Sequence, residues 1–560
     1  MALSITPSSR IADPAWHAPH WQHGRLRAVP VQQDPALAVA AVAAVTAAAC
    51  RRRWSRLPCA AEPAEPAIKS GFLAFPDSFV FGVATSAYQI EGASDSYGRK
   101  PSIWDDFAHR PGTTSNGATG DVACDHYHLF KEDVDLMSKV NIKAYRFSIS
   151  WSRILDGSGR INEEGIQFYS DLIDSLLAAG IEPWVTLYHW DLPAALDWLG
   201  PKDSITSAFS TYARTCFNSF GDRVKRWITL NEPWCSAVLG YNTGDHAPGH
   251  TDSADSAPYI AGHHMLLAHA EAVRVFREDF AHQKGQIGIS LNADWRQPMD
   301  GTSEARHAAR RAMDFSLGWF AQPVFEGDYP ECMKKACGER LPAFTPGESA
   351  LLRGSADFFG LNCYSANFAK AAQQPPEGSG YWNDIGVEWW HTDPDWERSD
   401  MGWPIVPWSL REILLYIQKR YRPTGGIFIT ENGCACESDE SADLDCRPDA
   451  LTPMEAGDAW RQETDFVFED PERVRFFRAH LSAVHAAISH GADVRGYFAW
   501  SFLDNFEWAE GYTKRFGIVR VDFPTQERTL KSSARFLAEV FKASGLEAPS
   551  KEEQYGGRTF

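Results

Sequence analysis

The 560-residue sequence predicts an α/β fold, a single (β/α)₈ TIM barrel with long loops at one end, preceded by an N-terminal extension. Short apolar runs alternate eight times with longer amphipathic stretches over residues 71–546. Polar side chains collect directly after the apolar runs, where a parallel barrel would bring them together. The alternative, a doubly wound open sheet, is disfavoured because no glycine-rich phosphate-binding sequence follows an early strand.

The apolar runs have the length of strands buried on both faces of a sheet. They are residues 79–84, 144–148, 183–188, 227–230, 286–291, 358–361, 427–430 and 496–500. The stretches between them have the apolar spacing of helices that pack on a sheet. They are residues 164–179, 207–220, 259–278, 305–324, 410–421 and 472–490, with 529–544 after the last strand.

The first 70 residues differ in composition from the rest of the chain. They carry eight Lys/Arg and four Asp/Glu, whereas the whole chain has a net charge of −19. The alanine-rich run 36–50 is followed by three arginines and is shorter than the roughly 20 apolar residues of a membrane span. We interpret residues 1–70 as a targeting and linker extension, with plastid and secretory destinations both open, and 547–560 as a C-terminal tail. Any membrane association is expected of this N-terminal segment alone.

Composition also narrows the partners and cofactors. The acidic balance argues against nucleic acid, because phosphate binding needs a basic surface. The 11 cysteines show no paired zinc-binding pattern, which argues against a zinc site, and no metal or organic cofactor is expected. Cys434, Cys436 and Cys446 are close in sequence, and both a disulfide and free thiols remain open there. The 21 tryptophans fit either sugar stacking or a large aromatic core.

Two glutamates end predicted strands. Glu232 follows the fourth apolar run in TLNEP, and Glu431 follows the seventh in ITENG. A surface acid at a strand–loop junction would explain either one alone. Two acids facing each other across a barrel mouth would instead suit retaining glycoside hydrolysis, which needs two carboxyl groups about 5–5.5 Å apart.

Residues 72–546 resemble the family 1 glycoside hydrolases, the β-glucosidase family. Besides TLNEP (229–233) and ITENG (429–433), the resemblance rests on FVFGVATSAYQIEGA (79–93), KAYRFSISWSRI (143–154), YHWDLP (188–193), DFFGLNCYS (357–365) and WSFLDNFEWAEGY (500–512). Cys363 departs from the family's usual pair of tyrosines, and Ser409 departs from its usual Pro-x-Gly-Leu. Residues 365–400, rich in tryptophan, are expected to form a loop near the aglycone entrance.

The resemblance implies a role for each matching residue. Glu232 is then the acid/base and Glu431 the nucleophile, with Arg146 and Tyr364 expected to lower the pKa of Glu431. Asn231 would donate to the sugar 2-hydroxyl. The remaining matches are Gln89, His189, Glu507 and Trp508, which would bind the glycone, and Trp500, which would form a platform under the sugar. Taken alone, His189 also fits a buried structural histidine, and Trp500 a core residue.

The resemblance implies a retaining exo-β-glycosidase acting on terminal β-D-glucosides through a glycosyl-enzyme. Whether β-galactosides or β-fucosides are also cleaved stays open. Glu507 stands where phospho-β-glycosidases carry Ser, so the β-linked glycoside or oligosaccharide substrate is expected to be unphosphorylated. Two alternatives remain at this stage, a transglycosidase of the same fold and a non-catalytic sugar-binding barrel. Nothing in the sequence predicts the oligomeric state.

Overall fold

A computed structural model describes residues 71–156, 158–372, 379–436 and 468–548. The predicted extension 1–70, almost all of the predicted tail, and Cys446 lie outside the described residues. Among the residues described, no helix is both long enough and apolar enough to span a membrane.

Eight parallel strands close into a barrel, as predicted. They are β1 (Val80–Ala84), β2 (Ala144–Ser148), β3 (Glu182–Tyr188), β4 (Arg226–Asn231), β5 (Gln286–Asn292), β6 (Phe359–Asn362), β7 (Ile427–Asn432) and β8 (Val494–Trp500). Neighbours in sequence pair in order, and β8 closes the barrel on β1. Each strand end lies within two residues of its prediction. The apolar runs were visible in the sequence because both faces of each strand are covered.

Helices alternate with these strands along the chain. The principal ones are His126–Lys139, Glu163–Ala178, Lys202–Phe220, Ala257–Asp279, Ser303–Met313, Trp319–Glu326, Trp408–Tyr421, Pro471–Ser489 and Ser532–Ala543. The single helix predicted over 305–324 is interrupted by a π turn at Asp314–Gly318. Pro323 also weakens the segment, because it has no N–H to donate to Trp319. Helix His126–Lys139 was not predicted, although Phe130, Val134 and Met137 are buried on one face.

Shorter elements line the loops. Helices Ala87–Ile90, Ile103–Ala108, Trp151–Ile154, Pro233–Val238, Glu331–Cys337, Pro346–Leu352 and Tyr381–Asp384 lie between the main elements, with strands Phe72–Ala74 and Gly545–Glu547 near the ends of the described chain. A three-stranded sheet, Trp295–Pro298, Ala366–Ala371 and Val387–His391, follows β5 and β6. Part of it falls in residues 365–400, which the sequence predicted as loop. The hairpin Val519–Asp522 with Glu527–Leu530 follows β8.

Aromatic side chains fill the space between the barrel strands. The ring of Trp184 lies 4.9 Å from Phe428 and 5.0 Å from Phe498, and it also contacts Phe358. These residues belong to one buried cluster with Ile228, separate from the main core. Because packed side chains occupy the barrel interior, the carboxyl groups at its carboxyl-terminal end lie above an apolar floor.

Candidate active site

The ten predicted site residues all lie at the carboxyl-terminal end of the barrel. Arg146, Asn231, Glu431 and Trp500 are in strands β2, β4, β7 and β8. The others directly follow strands: Gln89 in helix Ala87–Ile90, His189 after β3, Glu232 after β4, Tyr364 after β6, and Glu507 with Trp508 after β8. Direct contacts connect most of them, as described below.

Glu431 is buried, with 3% of its surface exposed, and each of its carboxyl oxygens accepts a hydrogen bond. Arg146 Nη1 donates to Oε1 at 2.5 Å, and the Tyr364 hydroxyl donates to Oε2 at 2.7 Å. Gly433, two residues later, lets β7 pass close to β8, since a Cβ there would lie 1.8 Å from the Trp500 carbonyl oxygen. The carboxylate is therefore held in one orientation at the end of β7.

Arg146 is fully buried and links the two halves of the site. Besides Glu431, it donates from Nη2 to Asn231 Oδ1 at 2.6 Å. Its Nε donates to Thr186 Oγ1 at 3.1 Å, and Nη1 also donates to the Thr430 carbonyl at 3.0 Å. Because these contacts fix the guanidinium, its charge stays next to Glu431 without rearrangement.

Glu232 adopts a left-handed backbone conformation, with φ 46°, between β4 and helix Pro233–Val238. Asn362 Nδ2 donates to its Oε1 at 2.7 Å, and the thiol of Cys235 contacts its Oε2 at 3.1 Å. Asn362 Nδ2 also donates to Asn231 Oδ1 at 2.9 Å. Strained backbone conformations are often found where a side chain must point in a particular direction. Here the Glu232 side chain points toward Asn362.

The two glutamates have different electrostatic environments. Burial, followed by the negative charge of Glu431, raises the pKa of Glu232 to about 8. Burial also raises the pKa of Glu431, but the charge of Arg146 and the hydrogen bond from Tyr364 oppose that rise. Arg146 and Tyr364 therefore lower the pKa of Glu431, as predicted, but burial outweighs them and the net shift is upward. The negative charge of Glu431 in turn favours the protonated form of Glu232.

Gln89 and Glu507 lie together beside the loop after β8. Gln89 Nε2 donates to Asn505 Oδ1 and to the Phe506 carbonyl, both at 3.0 Å, and to Glu507 Oε2 at 3.4 Å. Burial, followed by the charge of Glu431, raises the pKa of Glu507 well above its ordinary range. This arrangement presents carboxyl and amide groups suited to binding several hydroxyls.

His189 has a defined tautomer. The Nδ2 group of Asn231 donates to His189 Nε2 at 3.0 Å, since Asn231 Oδ1 already accepts from Arg146. Burial, followed by the charge of Arg146, lowers the pKa of His189 well below its ordinary value, so the ring is neutral. Its proton is then on Nδ1, which is buried and has no partner among the described residues. A hydroxyl of a bound ligand would satisfy this donor.

Aromatic rings flank His189. Trp500 and Trp508 are nearly parallel to its ring, at centroid distances of 5.7 Å and 5.9 Å. Trp403, which sequence analysis did not single out, lies 5.5 Å from the ring of Tyr364. It lies in the long connection from β6 to helix Trp408–Tyr421, after the outer strand Val387–His391, so it was not next to a predicted strand end and gave no signal. Flat apolar ring faces of this kind are suited to stacking against the apolar faces of sugar rings.

Sequence analysis also missed the roles of Asn362 and Cys235. Asn362 directly follows the sixth apolar run and lies within the motif DFFGLNCYS, but it was given no function. Its contacts to Glu232 and Asn231 depend on Thr430, whose hydroxyl donates to Asn362 Oδ1 at 2.6 Å and so orients the amide. Cys235 carried no signal beyond its position three residues after Glu232.

Tryptophans of the predicted entrance loop surround Trp234, which follows Glu232 by two residues. Trp382 and Trp389 each lie 6.3 Å from Trp234. The guanidinium of Arg296 lies 4.1 Å from the Trp389 ring centroid. An aromatic wall with one cation therefore stands beside the loop that carries Glu232.

No group of described residues could hold a metal ion. All the cysteines that the structure describes are free thiols, and Sγ of Cys434 lies 2.7 Å from Sγ of Cys436. Since Cys446 is not described, the choice between thiols and a disulfide stays open in this segment.

The chain is similar to known proteins over most of its length. The model of glycosyl hydrolase family 1 matches residues 73–546. "Beta-glucosidase 1B" of Phanerodontia chrysosporium is 45% identical over 85% of this chain and 87% of its own length, and "Beta-glucosidase 4" of Oryza sativa subsp. japonica is 46% identical over 84% and 96%. A solved structure of a mutant rice β-glucosidase, Os3BGlu6, in a covalent complex with Glc is 40% identical, with a TM-score of 0.76 over 83% of this chain and 98% of that one.

Proposed function

This chain belongs to glycosyl hydrolase family 1, and we propose that it is a retaining β-glucosidase that hydrolyses terminal, unphosphorylated β-D-glucosides. The observation that carries the proposal is the pair of buried glutamates at the barrel mouth, Glu431 held by Arg146 and Tyr364 and Glu232 held by Asn362. We assign the catalytic domain to residues 71–546. The non-catalytic and transglycosidase alternatives gain no support, since both acids are present and the relatives are β-glucosidases.

In the first step Glu431 is the nucleophile. Its ionised carboxylate attacks the anomeric carbon while Glu232, protonated at neutral pH, gives its proton to the glycosidic oxygen. The bond between that carbon and the glycosidic oxygen breaks, the aglycone leaves as an alcohol, and Glu431 becomes a glycosyl ester. The covalent Glc complex of the rice relative supports an intermediate of this kind.

In the second step Glu232 acts as a base. Ester formation removes the negative charge of Glu431, which had helped to raise the pKa of Glu232. Glu232, which gave its proton to the leaving group, therefore stays ionised and takes a proton from water as the water oxygen attacks the anomeric carbon. The ester bond breaks, glucose leaves with the β configuration retained, and Glu431 returns to its ionised form beside Arg146.

Asn231 is suited to bind the sugar 2-hydroxyl. Its Oδ1 already accepts from Arg146 and Asn362, and its Nδ2 gives one hydrogen to His189. The second hydrogen on Nδ2 remains for a ligand, and such a contact strengthens as the transition state forms. We assign the other hydroxyls to His189 Nδ1, Gln89 and Glu507, with Trp500 beneath the ring and Trp508 beside it.

The test uses the full chain and a panel of nitrophenyl β-glucoside, β-galactoside, β-fucoside, β-mannoside and 6-phospho-β-glucoside. Wild type should cleave the β-glucoside, and proton NMR should show β-glucose as the first product. Glu431→Gln should lose about 10⁴-fold or more in kcat, because the nucleophile is gone. A folded wild type that cleaves none of these substrates, or an equally active Glu431→Gln, would overturn the proposal.

A further inference from the structure

Cys235 lies where the chain turns from β4 into helix Pro233–Val238. The helix begins at Pro233, and the backbone N–H of Cys235 donates to the Glu232 carbonyl at 2.9 Å. This turn directs the Cys235 side chain back toward the side chain of Glu232. Its Sγ lies 3.1 Å from Glu232 Oε2, and the residue is 7% exposed.

The two oxygens of Glu232 therefore have donors of different kinds. Oε1 accepts from the Asn362 amide, which cannot reverse its role because Thr430 donates to Asn362 Oδ1. Oε2 faces a thiol, which is a weak donor, a weak acceptor, and free to rotate about its Cβ–Sγ bond. When Glu232 is protonated, its proton is therefore placed on Oε2, because the Cys235 thiol beside that oxygen can rotate away from it.

From this geometry, and resting on the acid/base role assigned above, we propose that Cys235 is a positioning residue for Glu232. Its thiol donates to Oε2 when Glu232 is ionised and turns away when Oε2 carries the proton. A stronger donor at this position would favour the ionised form and impair proton donation. With no donor, the ionised form that the second step needs would be less stable. The thiol thus serves both protonation states of one carboxyl group.

The surroundings keep the thiol in the form that this role requires. Burial, followed by the charge of Glu232, raises the pKa of Cys235 well above its ordinary range, so Sγ keeps its hydrogen at neutral pH. The charged and titratable groups that act on this pair are Glu431, Arg146, Tyr364, Glu507 and Asp294. None of them donates to Glu232 Oε2, so the Cys235 contact can be changed while they stay in place.

Replacement of Cys235 by two different residues tests the proposal. Cys235→Ser introduces a stronger donor of nearly the same size, and Cys235→Ala removes the donor. The alkaline limb of the kcat/KM profile reports the loss of the Glu232 proton. Its midpoint should move to lower pH in Cys235→Ser and to higher pH in Cys235→Ala, each by about half a pH unit or more. A merely structural role would not move the midpoint in opposite directions.

Leaving-group dependence gives a second measurement. Phenyl β-glucoside needs protonation of its leaving oxygen, whereas dinitrophenyl β-glucoside hardly does, so a Cys235 variant should change cleavage of the first substrate more than of the second. The matched control is Cys332→Ser. In wild type the Cys332 thiol also contacts a carboxyl group, lying 3.7 Å from Asp314 Oδ2, but both residues are distant in sequence from Glu232 and Glu431. This control should keep the wild-type pH profile with both substrates.

The outcomes separate this inference from the proposed function. An inactive but folded wild type would defeat both. An active wild type whose Cys235→Ser and Cys235→Ala profiles have the same alkaline midpoint would defeat the positioning role alone. If neither variant folds, the pH-difference infrared spectrum of wild type in the S–H stretching region decides, because the Cys235 component should change with the midpoint of the alkaline limb while the other thiols form a constant background. A band that does not change with pH would overturn the proposal.

Discussion

The hydroxyl of Tyr364 lies 2.7 Å from Oε2 of Glu431, the oxygen that Arg146 does not contact. Each carboxylate oxygen thus accepts from a different donor, Oε1 from the charged Arg146 and Oε2 from the neutral Tyr364. Since both stabilise the ionised form, they counteract the burial that raises the pKa of Glu431. The reactivity of this carboxylate depends on that balance.

Tyr364→Phe should disturb the balance without removing the ring. With one donor lost, the pKa of Glu431 should rise, so the acidic limb of kcat/KM should move to higher pH, and kcat should fall by about 10-fold or more. The check is a pH profile on nitrophenyl β-glucoside. Tyr421→Phe is the control, because the buried Tyr421 hydroxyl has no partner among the described residues. An unshifted acidic limb in Tyr364→Phe would contradict the assigned contact.

The pKa of Glu232 predicts the alkaline side of the same profile. Wild-type kcat/KM should fall as pH rises through about 8, where Glu232 loses the proton that the leaving group needs. Glu232→Gln should cleave phenyl β-glucoside at least about 10³-fold more slowly, while its cleavage of dinitrophenyl β-glucoside should no longer decline above that pH. If the alkaline limb persists unchanged in Glu232→Gln, another group is the acid.

The same shift predicts a stability difference. The folded-state pKa of Glu232 is raised above the ordinary value of 4.5, so its contribution is fully present below pH 4.5 and is lost as pH rises toward 8. Glu232→Gln does not titrate, so its stability relative to wild type should increase across that window, by up to about 1.4 kcal/mol per pH unit. Thermal unfolding at several pH values measures this. A difference between Glu232→Gln and wild type that stays constant with pH would contradict the burial argument.

Asn362→Ala tests the residue whose amide donates to both Glu232 and Asn231. Its loss leaves Glu232 Oε1 with no amide donor and removes a donor from Asn231 Oδ1. We expect kcat/KM to fall by about 10²-fold on the β-glucoside, because Glu232 and Asn231 both lose orientation. Asn383→Ala, in the outer loops, serves as the control. A variant that retains most of its activity would show that Asn362 is structural.

How much of the fold and of the candidate site could be predicted from the sequence depends on where each residue lies. Glu232 and Glu431 end strands buried on both faces, so the apolar runs placed them at strand ends at one barrel mouth, and the family resemblance supplied their roles. The outer sheet was missed because strand Trp295–Pro298 is half-buried throughout and shows no alternation. Cys235 and Trp403 could not be assigned from the sequence, since their contacts depend on a turn and a loop whose paths follow no repeating pattern.

Glu507 tests the preference for unphosphorylated sugars. Its carboxyl group is buried beside Gln89 and close enough to Glu431 for their charges to interact, so a substrate phosphate there would add a further negative charge beside these two acidic groups. Glu507→Ser should lower kcat/KM on the β-glucoside by about 10²-fold, since hydroxyl contacts are lost, and should raise the ratio of 6-phospho-β-glucoside to β-glucoside cleavage. Glu510→Ser removes a neighbouring carboxylate three residues away and should leave the ratio unchanged. If Glu507→Ser lowers both activities equally, Glu507 binds the sugar without selecting against phosphate.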